Sequence, residues 1–317
     1  MAVIEDIFKK QCISILSVGA PKELSFLTAS FSLLFTMTSI PGNILIILAV
    51  FFDPNRNLRS PFNWLVLNLA TADLIVGMVT DPIMVYLHIK EGVERRLEQR
   101  DLYAIHMSYF ISCTASVLSI STLAVERYLA MKRPHVYRSN VTNRRIVITV
   151  VGIWLFSLSL PNIYFKVGFT SYSFIFANTC VVVTVILTSV TYISMLNLFK
   201  ERTQNTITDI ELVRSTNFQT VTVRPTSTIS SSAREREIKV TKMFSIILLA
   251  MLCCYGPSTI CTYLLNVCKS CSCTTLHWLR DFHFIFILMN SSVNFWIYAL
   301  QSQKFRSAFI KIIKRNR

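Results

Sequence analysis

The chain has 317 residues, of which 52% are hydrophobic and 15% are charged, and its formal net charge is +15. Soluble domains usually carry about 25% charged residues, so this composition excludes an ordinary soluble domain. The positive charge does not indicate a nucleic-acid partner, because membrane proteins concentrate Lys and Arg in the loops on their cytoplasmic side.

Seven apolar segments, each long enough to cross a bilayer, follow one another along the chain. The sequence therefore predicts an all-α integral membrane protein with a seven-helix bundle over residues 25–300. We expect the membrane helices at residues 25–52, 61–89, 102–131, 146–164, 173–199, 237–267 and 276–300.

The segments outside the bundle differ in charge and predict its orientation. With the helices placed as above, 22 of the 32 Lys and Arg residues fall on one side of the membrane. This bias predicts an extracellular N-terminus, residues 1–24, and a cytoplasmic C-terminus. The third cytoplasmic loop, 200–236, is polar and rich in Ser and Thr, and we expect it to be disordered.

The tail, residues 301–317, has an amphipathic pattern. Phe305, Phe309 and Ile312 share one helical face, and Lys and Arg occupy the rest. Such a helix lies in the bilayer interface, where its basic residues suit anionic lipid.

The third apolar segment ends in the triplet Glu126-Arg127-Tyr128. A charge at the bilayer centre costs about 2.5–3.5 kcal/mol on insertion scales, whereas the headgroup region tolerates it. We therefore expect this segment to be the central helix of the bundle, with the triplet as a latch at its cytoplasmic end.

A carboxylate, Asp73, lies near the middle of the second segment. Intramembrane acids face the bundle interior and suggest function. In the seventh segment Asn290, Asn294 and Tyr298 recur every four residues, so they share one helical face. We expect that face to meet Asp73, with Ser116 and Asn43 nearby; a polar packing network without a bound ion is the alternative.

The nine cysteines divide into two groups. Four lie in apolar segments and suit small core positions: Cys113, Cys253, Cys254 and Cys261. Five fall near the outer face, where disulfides are chemically allowed: Cys12, Cys180, Cys268, Cys271 and Cys273. A zinc site is an alternative for the last three, although no His is interleaved with them.

Several short motifs occur together, in order, along the segments. They are Gly42-Asn43, Leu69-Ala70-Thr71-Ala72-Asp73, Glu126-Arg127-Tyr128, Trp154, Tyr192, Cys254-Tyr255-Gly256-Pro257, Asn294-Phe295-Trp296-Ile297-Tyr298 and Phe305-Arg306-Ser307-Ala308-Phe309. On these residues the chain, from the first segment to the tail, resembles the rhodopsin-like (class A) G-protein-coupled receptors. The resemblance implies a plasma-membrane receptor, not an enzyme, that links an extracellular ligand to a heterotrimeric G protein. It also implies that arrestin and receptor kinases act on the third cytoplasmic loop.

Four departures from the family pattern narrow the resemblance. Tyr255 stands where Trp is expected, Phe295 replaces a proline, the fifth segment has no proline, and no cysteine lies near Leu102. The combination resembles the melanocortin, cannabinoid and lysophospholipid receptors, with adenosine receptors nearby. In that branch an outer loop often supplies a local disulfide, which here would involve Cys12, Cys268, Cys271 or Cys273.

The resemblance also implies roles for single residues. It implies a sodium site with Asp73 and Ser116 as ligands, surrounded by Asn43, Asn290, Ser291 and Asn294. It implies a resting ion pair from Arg127 to Glu126 or to Glu237 at the start of the sixth segment. The remaining switch residues would be Tyr128, Tyr192, Tyr298 and a hinge at Cys254, Tyr255 and Pro257.

The ligand class stays open between a peptide, a lipid and a small polar molecule. Tyr109 replaces the acid of amine receptors, and Leu288 replaces the lysine of opsins, so both classes are disfavoured. The predicted pocket is lined by Tyr86, His106, Tyr109, Cys113, Tyr255, Tyr263 and Leu288, for each of which helix packing is an equal alternative.

Three alternatives to a signalling receptor are a transporter or channel, a membrane enzyme and a weakly coupling receptor. A transporter or channel would show inverted repeats or interrupted helices, and neither is visible. A membrane enzyme would need a metal or nucleophile site, and the five histidines do not cluster at ligand spacing. A degenerate receptor that couples weakly is the third, because Tyr255 and Phe295 replace switch residues.

Overall fold

The computed structural model describes residues 20–94, 99–133, 137, 139–216, 227–268 and 270–315. These ranges contain eight long helices and no strand. The helices are α1 Lys22–Phe52, α2 Pro61–Glu94, α3 Gln99–Lys132, α4 Asn143–Val167, α5 Phe169–Thr216, α6 Ser227–Val267, α7 Cys273–Gln301 and α8 Gln303–Arg315. Helices α1 to α7 are long and apolar enough to cross a bilayer, which confirms the predicted fold class.

Helix α3 is the centre of the bundle. It packs against α2, α4 and α5. In its most apolar stretch 72% of the residues are buried, compared with 22% in α4. Helix α4 therefore lies at the lipid-facing edge, whereas α3 can contact groups from several neighbours.

Local sequence signals set the helix starts. Ser60, Thr142 and Ser272 precede α2, α4 and α7, and each hydroxyl accepts a hydrogen bond from a backbone N–H of the first turn. Such N-caps satisfy donors that a helix leaves free. Pro61 follows Ser60 at the first helical position, where its missing N–H removes no bond.

Two membrane helices contain a wide π-helical turn. It spans Val76–Thr80 in α2, directly before Asp81-Pro82, and Ala177–Val182 in α5. The turn in α5 forms although that helix has no proline. Such turns are frequent at functional sites because they change the direction of the side chains that follow.

Three helices extend at least five residues beyond a predicted end. Helix α2 continues to Glu94, so Glu91, which the charge pattern placed in a loop, is helical. Helix α5 continues to Thr216, and α6 begins at Ser227, so the expectation of disorder is wrong for residues 200–216 and 227–236. Neither stretch contains a proline or glycine that would end a helix.

Helix α8 packs against α1 and α7 at the end of the bundle that carries the triplet. Phe305 and Phe309 are buried, and the Phe305 ring lies 5.5 Å from that of Tyr298. Ile310 and Ile313 are about half exposed and face outward. This leaves an apolar edge for the bilayer and a docked face for the bundle.

Candidate functional site

The polar core is built around Asp73, which is fully buried in α2. Its carboxylate accepts hydrogen bonds from Asn294 Nδ2 at 2.7 Å and from Ser116 Oγ at 3.3 Å. Asn290 Nδ2 donates to the same Ser116 oxygen at 3.4 Å. Asn290 and Asn294 lie on the same face of α7. Through them α7 contacts α3 and α2 around the Asp73 carboxylate.

Asn43 ties α1 to the same centre. Its amide nitrogen donates to the Ser39 hydroxyl and backbone carbonyl, both at 3.0 Å, and to the Ser291 carbonyl at 3.3 Å. Ser39 Oγ in turn donates to the Asp73 carbonyl at 3.2 Å. The six predicted network residues, Asn43, Asp73, Ser116, Asn290, Ser291 and Asn294, are all buried in this one region.

The donor set of this core suits a hard monovalent cation. A carboxylate, a hydroxyl and amide oxygens offer only oxygen ligands, which hard cations prefer. Asp73, Ser116 and the asparagines lie within one hydrogen-bonded cluster, so their oxygen-bearing side chains are grouped in one place. The residues present therefore fit the sodium site that the family resemblance implies.

Farther outward on α2, Asp81 is also fully buried, and neither of its carboxylate oxygens has a hydrogen-bond partner among the described residues. Burial of an unpartnered polar group is unfavourable. Asp73 and Asp81, two buried carboxylates of α2, thus differ: the first is hydrogen-bonded and the second has no partner among the described residues.

Near the C-terminal end of α3, Arg127 forms a bidentate ion pair with the adjacent Glu126. Its Nε and Nη2 donate to the two carboxylate oxygens at 2.5 and 2.6 Å. The guanidinium also lies 4.2 Å from the ring centroid of Phe62 on α2. Charge-assisted bidentate bonds are among the strongest in proteins, so this pair fixes the arginine against its own helix.

Tyr137 in the following loop adds a third group to this pair. It is half-buried and donates a hydrogen bond to Glu126 Oε1. Burial and the nearby carboxylate raise the pKa of the Tyr137 phenol. The phenol therefore stays protonated at neutral pH and remains a donor to Glu126. The sequence analysis missed this residue, because only the loop fold brings it back to α3.

The remaining predicted switch residues lie around this end. Tyr128 and Tyr192 pack on a small cluster of Ala124, Met131 and Met195 between α3 and α5. Tyr298 is buried, and its hydroxyl has no hydrogen-bond partner among the described residues. The side chain of Glu237 lies outside the described part of the structure, so its predicted pairing with Arg127 stays a prediction.

The predicted hinge lies in an unbroken helix. Helix α6 continues through Pro257, with Cys254 and Tyr255 buried one turn before it. A proline inside a helix removes one backbone hydrogen bond. Movement about this point stays a prediction.

Two buried residues with aromatic rings, Tyr109 and His283, join α3 and α7. The Tyr109 hydroxyl and His283 Nε2 are 2.9 Å apart, and His283 Nδ1 is 2.7 Å from Ser258 Oγ on α6. Three helices thus meet at one imidazole. The sequence analysis missed His283, because a single histidine in an apolar helix has no distinguishing pattern.

Of the predicted pocket residues, four fill the bundle centre and are buried: Tyr109, Cys113, Tyr255 and Leu288. His106 Nδ1 lies 2.8 Å from the Tyr164 hydroxyl and borders a small outer cavity of about 20 Å³. Tyr263 donates a hydrogen bond to Asn178 on α5.

The prediction for Tyr86 is wrong. Its side chain is 60% exposed on the outside of α2. The buried residues Asp81, Met84 and His88 recur at three- and four-residue spacing and define the inner face. Tyr86 falls on the opposite face, as helical geometry requires.

The outer end of the bundle contains a buried ionic cluster that the sequence analysis did not identify. Arg280 Nη2 donates to both Glu91 oxygens at 3.0 and 3.2 Å, and Arg280 Nε donates to Asp281 at 2.7 Å. Thr28 on α1 donates to the other Asp281 oxygen at 3.1 Å. His88 Nδ1 lies 3.4 Å from Glu91.

These residues join α1, α2 and α7. Arginine and acid residues inside the seventh apolar segment were a visible signal, since charges in membrane helices are paired and functional. Their partner Glu91 was not apparent, because it is 189 residues away from Arg280 in sequence.

The outer cysteines form disulfides. Cys268 is bonded to Cys271, and Cys273 is also disulfide-bonded, whereas Cys180 is free. The predicted Cys12 lies outside the described residues. Sulfurs joined in disulfides are not thiolate ligands, so this arrangement favours the predicted local disulfide over the zinc alternative.

Comparisons with known proteins agree with this architecture. The family described as 7 transmembrane receptor (rhodopsin family) matches residues 42–298. Melanocortin receptor 5 of Ovis aries is 28% identical over 95% of this chain and 88% of its own length.

Two further relatives match over shorter regions. The muscarinic acetylcholine receptor gar-2 of Caenorhabditis elegans is 31% identical over 47% of the chain, and the D(2)-like dopamine receptor of Takifugu rubripes is 31% identical over 39%. The matched regions cover only 22% and 26% of those two relatives. The chain belongs to the rhodopsin family of seven-transmembrane receptors and is a receptor rather than an enzyme.

Proposed function

We propose that this multi-pass membrane receptor converts binding of an extracellular ligand into nucleotide exchange on a heterotrimeric G protein. The Glu126–Arg127 pair carries this proposal. Arg127 lies at the end of the central helix and is neutralised within its own helix at 2.5 and 2.6 Å. A guanidinium held by a neighbouring acid becomes available to a partner protein when that acid is protonated or displaced.

We further propose that Na⁺ stabilises the resting receptor. Asp73 and Ser116 would hold the ion, with oxygens of Asn290 and Asn294 completing its surroundings, and Asn43 would fix the helix that supports them. The ion would supply positive charge at the buried carboxylate. Asp73 and Asn294, now 2.7 Å apart, join α2 to α7, so the occupied state would favour one packing of these helices.

The ligand of the proposed receptor binds in the outer half of the bundle and is not a monoamine anchored on α3. The two relatives named for amines match less than half of this chain. Tyr109 stands at the expected acid position and shares its hydroxyl with His283 at 2.9 Å. No carboxylate from α3 is therefore offered to an ammonium group there.

Ligand-free nucleotide exchange tests the proposal. Glu126→Gln removes the charge that holds Arg127 while keeping the side-chain shape, so membranes containing this variant should exchange GTPγS faster than wild-type membranes on at least one Gα class. The double variant Glu126→Gln/Arg127→Ala is the matched control and should return to the background rate. Equal rates for wild type, single and double variants across a panel of Gα subunits, at matched expression, would contradict the proposal.

A further inference from the structure

A cavity beside the Glu126–Arg127 pair includes Glu126 and Tyr137 in its lining. It is a groove of about 670 Å³ between the inner ends of α3, α4 and α5, within the range of small-molecule sites. We name it the α3–α4–α5 groove; the lining residues used in the argument are Val125, Leu129, Arg133, Arg145, Ile146 and Leu187.

The walls of the groove are apolar. The side chains of Val125, Leu129 and Leu187 are partly exposed along it. The hydroxyls of Thr122 and Thr149 also line it, but each donates to a backbone carbonyl one turn earlier, at 2.8 and 2.9 Å. Because these hydroxyl protons are already donated, this part of the groove suits a hydrocarbon occupant.

The mouth of the groove is cationic. Arg133 and Arg145 are exposed, and neither pairs with a carboxylate in the part of the chain that the structure describes. Arg145 Nη1 donates only to the Asn140 carbonyl, at 2.8 Å. The acid in the groove, Glu126, is neutralised by Arg127. Beside an apolar channel, the groove therefore presents two guanidinium groups that pair with no carboxylate among the described residues.

The groove also opens toward the hydrocarbon of the membrane. Leu129, Leu187 and Val125 line the groove and are 45%, 38% and 37% exposed. These apolar side chains lie within predicted membrane helices, where lipid covers them. An amphiphile can thus enter from the bilayer without crossing water.

We propose that the α3–α4–α5 groove binds one anionic phospholipid of the cytoplasmic leaflet. An acyl chain occupies the channel along Val125, Leu129 and Leu187, and the phosphate group lies between Arg133 and Arg145. The assignment to this leaflet rests on the proposed orientation, in which the Glu126–Arg127 end faces the cytosol. The site is separate from α8. That helix packs against α1 and α7 rather than against α4 or α5.

Native mass spectrometry of the delipidated full chain in detergent tests the proposal. Palmitoyl-oleoyl phosphatidylserine should bind at lower concentration than the matching phosphatidylcholine. Arg133→Gln and Arg145→Gln should each weaken phosphatidylserine binding about 5-fold, the change that corresponds to about 1 kcal/mol per basic residue at an anionic surface. The control pair Arg144→Gln and Arg306→Gln removes the same charge from exposed sites and should change binding by less than about 2-fold.

A second variant separates the two parts of the ligand. Val125→Trp fills the channel and should abolish tight binding, and inorganic phosphate should not compete, because it has no acyl chain. Equal losses in the groove and control pairs, or full competition by phosphate, would overturn the proposal, and so would unchanged binding to Val125→Trp. Lipid binding in detergent does not depend on nucleotide exchange, so its failure and that of the proposed function are distinguishable.

Discussion

Asp73 shows how a single side chain organises the interior of this receptor. Both of its oxygens are used, one by α3 through Ser116 and one by α7 through Asn294. Burial of a carboxylate is unfavourable unless hydrogen bonds or a cation compensate for its lost hydration. The side chain is thus a point where an ion and the helix packing depend on each other.

Sodium should raise the thermal stability of the wild-type receptor through Asp73. A ligand that binds only the folded state stabilises it in proportion to the logarithm of its concentration. The melting midpoint of purified protein should therefore be higher in NaCl than in choline chloride at equal ionic strength. Asp73→Asn should abolish this difference, and a sodium effect of equal size in that variant would contradict the assignment.

The helical spacing of residues predicted part of this chemistry directly. Asn290 and Asn294 lie four residues apart, so one face of α7 had to carry both, and Asp73 was the acid available to meet them. Tyr137 and His283 were missed, since each acquires its role from a residue distant in sequence. Tyr86 was misplaced because it was chosen by residue type rather than by the spacing of Asp81 and Met84.

At the scale of the helices, Phe295 shows how a departure from the family pattern is accommodated. A Cβ atom added to Gly42 would lie 2.6 Å from Phe295 Cγ, so α1 and α7 are in close contact through this ring. The Phe295 ring also lies 5.7 Å from that of Phe309 on α8. The aromatic ring therefore takes a position where three helices meet.

Gly42→Ala should destabilise the receptor by about 1–3 kcal/mol, because overpacking forces the Phe295 ring to move. Phe295→Ala in the same chain should recover part of this loss, which gives a coupling energy of about 0.5–3 kcal/mol in a double-mutant cycle of thermal midpoints. Gly152→Ala is the control, since no atom lies within 4 Å of the added Cβ, and it should be neutral or stabilising. Equal effects of the two glycine substitutions would show that the contact is unimportant.

The ionic cluster of Arg280 fixes the outer ends of α1, α2 and α7. Arg280 is buried between Glu91 and Asp281, so its removal would leave two buried acids without their cation. Arg280→Met should therefore lower the free energy of unfolding by about 3–5 kcal/mol. A thermal melt of the purified receptor measures this.

Arg59, whose side chain is 71% exposed, provides the comparison for that melt. Arg59→Met also removes a cation, but an exposed ion pair contributes only about 0–1 kcal/mol. A midpoint for Arg280→Met that equals that of Arg59→Met would mean that the outer cluster does not hold the helices together.

Helix positions were predictable to within a few residues in the membrane, because length and hydropathy are set by the bilayer. The extensions of the helices beyond the apolar segments were not predictable from length and hydropathy. Glu91 ended a predicted helix because charge normally marks a loop, and only Arg280 from α7 makes it a helical core residue. The helical continuation of α5 to Thr216 was hidden by a polar sequence that is equally typical of a disordered loop.

For the whole molecule, the proposed function requires a ligand site at one end of the bundle and a G-protein contact at the other. The outer end carries the disulfide Cys268–Cys271 and the buried ionic cluster. The opposite end carries Arg127, the α3–α4–α5 groove and α8. Disulfides persist in oxidising compartments, and basic loops stay in the cytosol, so both signals favour the orientation proposed above.

Epitope mapping in cells tests this orientation most directly. One tag is placed before Met1, a second between residues 217 and 226, and a third after Arg317, each in a separate version of the chain. The proposed orientation predicts antibody staining of the first tag in intact cells and staining of the other two only after permeabilisation. Staining of the tag between residues 217 and 226 in intact cells would contradict the account, because Arg127 would then face away from any G protein.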